Sequence, residues 1–339
     1  MRLEVFAIVL IGTVVGGLAG APQAAAMEAD QFLTWEIELQ DCSKDLNAFL
    51  NKTIEEFLGK VNERRLRKAP RKKIVRELYV YLFDGLHYSR VRNWLAESEK
   101  VDRYPPSSVN FWEYQRISIY HDFSFPFILP IARTIRIGDV YCGVDKIGHF
   151  FGFGRRYYQR YLRHIDRGAS EEYAMRRAIM FGLSQETSFV GKLVDGIFSH
   201  ADLEANFQGF RMARHLAFAD PPYLVREDGA WRLARRIDIR EYVNPDFDES
   251  YNINHYWGLR KRNTLKAIRE MYCEKRWLPQ VQKRFARYAR HEPSFSRRVI
   301  TAYFQNRGEN PQKKQSLSAI CEEVWENEGA ADAEGAPAE

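Results

Sequence analysis

The chain has 339 residues, a net charge of +6 and 14% aromatic residues, enough for a sizeable core in one large domain or two. The positive balance, on a chain read below as exported, directs it toward anionic lipid or cell-envelope polymer and away from nucleic acid. No segment beyond the first 26 residues is apolar for long enough to span a bilayer.

Residues 1–26 read as a signal peptide. Arg2 supplies a positive start, Phe6 to Gly20 is an apolar run of 15 residues, and Ala24-Ala25-Ala26 gives a small-residue cleavage pattern. The run is short for a membrane span. Glu4 is unusual in such a start, so an uncleaved N-terminal anchor is the competing reading. Either way the chain is expected to be periplasmic or peripheral to the cell envelope. In an oxidising compartment four cysteines fit two disulfides. Cys42–Cys142 with Cys273–Cys321 is the favoured pairing, because each pair stays within one half of the chain. No C-x-x-C occurs, so a cysteine zinc site is not expected.

The rest reads as a mainly α, multi-helix globular fold with one small β-hairpin near 223–234. In the N-terminal helical region, 27–112, apolar spacing predicts a helix over 31–59 through Phe32, Trp35, Leu39, Leu46, Phe49, Leu50, Ile54 and Phe57. Pro70 opens a second helix, running to about Ala96. Around Pro70 stand Arg64, Arg65, Arg67, Lys68, Arg71, Lys72 and Lys73, a solvated turn or a lipid head-group site. A loop is expected over 97–112, centred on Pro105-Pro106.

The central helical core, 113–216, begins with Phe123 to Ile131, apolar but interrupted by Pro126 and Pro130. It reads as a buried crossing segment or a patch dipping into a membrane surface. Three helices follow. They cover about Val140 to Arg163, Ser170 to Phe189, and Ser199 to His215, the last opened by a Ser199-x-x-Asp202 variant of the capping box. In the last region, 217–327, Asp228-Gly229 between two apolar runs predicts the hairpin. An irregular stretch over 240–257 precedes helices near 259–274, 278–290, 293–306 and 315–327. Residues 328–339 read as a disordered tail.

The chemistry-bearing residues gather in the central core. Asp145 and His149 are four apart on one helix face, as are Asp202 and Asn206, and Glu186 lies late on the intervening helix. Gly148, Gly152, Gly154 and Gly182 lower helix propensity and make sense where helix backbones approach closely. One imidazole with two or three carboxylates can hold a divalent ion (zinc, magnesium or manganese) and leave a position for water. Asp145, His149 and Asp202 would be the ligands, Glu186 the general base and Asn206 an orienting or oxyanion group. Without metal, His149 and Glu186 could pair as acid and base. The same residues could instead form a buried network that holds the helices in register. Asp195, Ser199 and His200, together with Glu249 and His255 from the irregular stretch, are further candidates to line a pocket.

The set D-K-x-x-H, then an isolated Glu, then S-x-x-D-x-x-A-N-x-x-G resembles VanZ-like proteins and, closer still, the related YfiM-type envelope proteins. The matching residues are Asp145, Lys146, His149, Glu186, Ser199, Asp202, Ala205, Asn206 and Gly209. The resemblance covers roughly 140–212 and implies a shared helical site without supplying a reaction. VanZ-like proteins are membrane proteins. Here Arg155, Arg156, Arg160, Arg163, Arg176 and Arg177 make the corresponding helices too polar for spans, so a soluble or peripheral version of the core is implied. Two functions follow as expectations. One is a metal-assisted hydrolase of an envelope lipid or wall component. The other is a non-enzymatic envelope scaffold that binds lipid or a partner. No G-x-S-x-G occurs, which disfavours serine hydrolase chemistry.

Overall fold

Residues 28–83, 89–121, 130–187, 196–309 and 315–322 are described in the computed structural model. The signal-like run 1–26, most of the Phe123–Ile131 segment, Asp195 and the tail 328–339 lie outside the described residues. The described part is mainly α. Strand β1 (Glu28–Ala29) leads into a 3-10 turn over Gln31–Thr34, where the Asp30 carboxylate accepts from the Phe32 amide. That cap turns the chain early, so the expected helix from 31 starts only at α1 (Ser43–Asn62), which buries Leu46, Leu50, Ile54, Phe57 and Val61 on one face. Phe32 and Trp35 instead fill a second apolar cluster with Tyr272 and Val281.

Pro70 stands at the N-cap of α2 (Arg71–Leu82), and α3 is Arg90–Glu97. The expected loop ends in a short helix, α4 (Phe111–Ile117), opened by a reciprocal capping box between Asn110 and Glu113. Among the described residues four two-stranded ladders are present where one hairpin was expected. β1 pairs in parallel with β2 (Ile131–Ala132), and β3 (Thr134–Ile137) pairs antiparallel with β4 (Val140–Gly143). The residues Val140–Gly143, read from sequence as helix, are thus strand, in keeping with their β-branched and aromatic character. The helix itself, α5, runs Val144–Ile165.

Helix α6 (Glu171–Glu186) is capped by Ser170, and α7 (His200–Phe218) by Ser199, each hydroxyl accepting a first-turn amide. Just before α7, β5 (Ile197–Phe198) pairs with β8 (His255–Tyr256), which ties the irregular stretch to the start of α7. The predicted hairpin is present as β6 (Leu224–Glu227) and β7 (Ala230–Leu233), with Asp228 and Gly229 both at positive φ. Helices α8 (Gly258–Tyr272), α9 (Pro279–Tyr288) and α10 (Phe295–Gln305) follow the expected spans closely. Among the described residues no helix is long and apolar enough to cross a membrane.

Helices α5 and α7 are the most closely packed pair. A Cβ on Gly154 would stand 2.8 Å from the Gly209 carbonyl carbon, so the two backbones touch. The Cys273–Cys321 disulfide is present and joins α8 to the C-terminal residues. The expected Cys42–Cys142 bridge is not. Both are buried free thiols packed in the main core as small hydrophobes. Burial, with Asp41 nearby, pushes the Cys42 thiol up to about 12, and burial raises Cys142 as well. The thiolate that bond formation requires is therefore scarce.

Candidate functional site

Lys146 sits in the first turn of α5 with no exposed surface. Its ammonium lies 2.7 Å from Asp145 Oδ2, Asp202 Oδ1 and Glu249 Oε1, and 3.4 Å from Glu28 Oε2. The four carboxyls come from β1, α5, α7 and the irregular stretch, and none is more than 6% exposed. An ammonium offers three donors, so it cannot serve four carboxylates equally. Asp202 Oδ1 and, at longer range, Glu28 Oε2 accept from it, while Asp145 Oδ2 and Glu249 Oε1 are close but out of hydrogen-bond line, making those two contacts ion pairs. Glu28 is the distant fourth.

Four negative charges around one positive charge in a dry site are unsustainable, and protons relieve the excess. Burial pushes Glu28 well up, against the pull of Lys146, with Glu249 and Asp202 adding to the rise. Burial likewise raises Asp145 to about 7, with Lys146 opposing. Glu249 is also penalised by burial, yet Lys146 and hydrogen bonds with Glu28, Lys146 and Asn254 hold it below the ordinary range. The neutral form is thus favoured at Glu28 and the ionised form at Glu249. Lys146 is held charged: burial works against it, and the carboxylates outweigh burial.

Neighbouring groups complete the network. Ser199 Oγ donates to Glu249 Oε1 at 3.0 Å while accepting from the Asp202 amide at 3.1 Å. Only half of the expected capping box forms, because the Asp202 carboxylate turns to Lys146. Asn254 Nδ2 donates to Glu249 Oε1 (2.9 Å) and Glu28 Oε2 (3.1 Å), and the Ala29 amide donates to Glu249 Oε2. His149 Nε2 lies 3.2 Å from Asp202 Oδ2, its Nδ1 lies 3.3 Å from Asn206 Oδ1, and its ring stacks on Phe153. Burial lowers His149, against the pull of Asp202, and so favours the neutral imidazole. Asn206 also stands close to the buried Tyr157 hydroxyl, which packs so tightly on Gly182 that a Cβ there would overlap it.

The sequence-predicted residues thus divide. Asp145, His149, Asp202, Asn206, Ser199 and Glu249 come together. Glu186 ends α6, half-exposed, and its charge bears on Tyr157. His200 packs edge-on against Phe198, and His255 against Trp257, in other surroundings. Among the described residues no group of three or more His, Cys, Asp or Glu side chains is arranged to hold a metal ion. The place a cation would take between Asp145 and Asp202 is filled by the Lys146 ammonium. Glu28 and Asn254 had no sequence signal. Lys146 had one, the D-K pair, but charged lysines are rarely buried.

No protein-family model, curated protein or solved structure matches this chain.

Proposed function

We propose that this chain is an exported cell-envelope protein that acts by binding, and that the Lys146 cluster is the clasp closing its fold. One observation carries this reading. A fully buried ammonium ties four separate segments through carboxylates that stand out of reach of solvent. The N-terminal pattern and the Cys273–Cys321 disulfide support export into an oxidising compartment. The resemblance to VanZ-like and YfiM-type proteins supports a shared helical core, since its residues Lys146, His149, Asp202 and Asn206 contact one another. Exposed Arg64, Arg65, Arg67, Lys68 and Lys73 support contact with an anionic lipid or polymer surface.

The competing reading, metal-assisted hydrolysis, needs a divalent ion between Asp145, His149 and Asp202. Such an ion would have to displace the buried ammonium. Metal analysis of the purified protein, together with melting of Lys146→Met, decides between the two. The clasp predicts no stoichiometric metal and a large drop in melting temperature. One equivalent of metal that disappears in His149→Ala would sink it.

A further inference from the structure

A second polar pocket lies between the start of α7, the irregular stretch and α10, with His200, Glu204, Asp246, Arg297, Ile300 and Phe304 in its walls. It shares no residue with the Lys146 cluster. Glu204 is buried and fully served: Asn244, Gln208 and Ser294 all donate to it, at 2.6–2.7 Å. Asp246 is different. It is 2% exposed, and Arg297 pairs with its Oδ1 while its Oδ2 has no hydrogen-bond partner. A buried carboxylate oxygen without a donor is costly, and a donor brought by a ligand would remove the cost.

The surrounding chemistry narrows that ligand. Three carboxylates (Glu204, Asp246 and Glu309 at the rim) face one guanidinium. Burial lowers His200 to about 3, with Arg297 and His255 adding to the fall, so its imidazole brings no positive charge. The pocket is therefore net negative and selects a cation. The Phe304 ring, packed on Phe198 at 5.7 Å, offers an apolar and π-rich wall. The inner part of the pocket is narrow, with room for a group of a few heavy atoms. A divalent metal is disfavoured, because no metal-holding group of acids and histidines is present among the described residues. A quaternary ammonium has no N–H to give Asp246 Oδ2.

We infer that this pocket binds a primary ammonium group, carried by a free small amine or by an amine lipid headgroup, with Asp246 as its acceptor and Phe304 as its wall.

The test uses ethanolamine and its neutral counterpart ethylene glycol, titrated into the full chain at pH 7 and followed by NMR of the His200 and aromatic side chains. Saturable shifts with ethanolamine and none with ethylene glycol are expected. Asp246→Asn should weaken binding by about tenfold or more, the loss of one charge-assisted hydrogen bond. Phe304→Leu should weaken it by about 2- to 5-fold, as loss of an exposed cation–π contact does. If Asp246→Asn unfolds, Phe304→Leu and the ethanolamine–glycol contrast still decide. Co-sedimentation with phosphatidylethanolamine vesicles, but not with phosphatidylcholine vesicles, identifies the headgroup as the source. Ethanolamine binding without co-sedimentation identifies a free amine. Equal binding of ethylene glycol, binding indifferent to both variants, or neither shifts nor co-sedimentation would overturn the inference.

Discussion

Gly154 of α5 and Gly209 of α7 meet backbone against backbone. A Cβ on Gly209 would stand 1.7 Å from the Phe150 carbonyl oxygen, and Tyr79 Oη donates to the Gly209 carbonyl at 2.6 Å. The obstacle is main chain, which cannot swing aside as a side chain would. Gly209→Ala is therefore expected to cost at least about 1–3 kcal/mol, the usual range for overpacking. Gly154→Ala, whose nearest contact is 2.8 Å, should cost less. Gly59 on α1 is the control: nothing lies within 4 Å of its Cβ position, so Gly59→Ala should gain up to about 1 kcal/mol from helix propensity. Urea melts of the three variants check the order. A neutral Gly209→Ala would mean the crossing is looser than described.

Within the Lys146 cluster, the partners differ in what their loss should cost. Lys146→Met leaves carboxylates buried without their cation, a change that typically costs about 3–5 kcal/mol. Asp202→Asn removes a charged partner at 2.7 Å and should also be severe. Glu28→Gln, a near-isosteric change, should cost less than either. Burial favours the neutral form of Glu28, which a glutamine amide mimics. Thermal melts at pH 7 rank the three. A Glu28→Gln as damaging as Asp202→Asn would mean that Glu28 is ionised in the fold.

This ranking could not have been written from the sequence, although much of the cluster could be named there. The i, i+4 pairs Asp145/His149 and Asp202/Asn206 fix helix faces, and the glycines announce a close crossing. What periodicity cannot show is where a non-periodic segment goes. Glu28 reaches the cluster because β1 pairs with Ile131–Ala132, and Glu249 because β5 pairs with β8. These are ladders of two residues, too short to leave a pattern. Sequence placed Glu186 late on the right helix, and from the end of α6 its charge bears on Tyr157. The cysteine pairing was half legible, since staying within one half of the chain says nothing about whether two thiols share a dry core.

That core makes a direct prediction about thiol chemistry. Cys42 and Cys142 are buried with raised thiol pKa values, while Cys273 and Cys321 are bonded. Native protein at pH 8 should react with no thiol reagent equivalents over minutes. Unreduced protein in guanidinium should react with two, and reduced protein with four. Replacing both Cys273 and Cys321 with Ser, across a separation of 48 residues, should cost about 4 kcal/mol on the chain-entropy estimate. Replacing Cys42 with Ser should cost through packing instead. Zero equivalents in guanidinium before reduction would show that the second bridge forms after all.

His200 sets the final expectation, on the acid side. Burial depresses its folded-state pKa to about 3 from an ordinary 6.5. The fold therefore prefers the neutral ring, while the unfolded chain takes up a proton below pH 6.5. The stability from this group is complete above pH 6.5 and is lost as pH falls toward 3. At pH 4.5 the loss amounts to about 2–3 kcal/mol, two pH units at 1.36 kcal/mol each. His215, lowered to about 4 by burial and by Arg211 and Arg214, adds a parallel loss that a change at His200 leaves in place. His200→Gln should therefore remove only its own share. The stability difference between pH 7 and pH 4.5, measured by urea denaturation, should shrink by about 2–3 kcal/mol in that variant. In the unaltered chain the His200 ring resonances should stay unshifted down to about pH 4.5, since a group titrating near 3 is still neutral there. A ring that titrates near 6 would show that the pocket wall admits water freely, and the acid loss would then have to come from elsewhere.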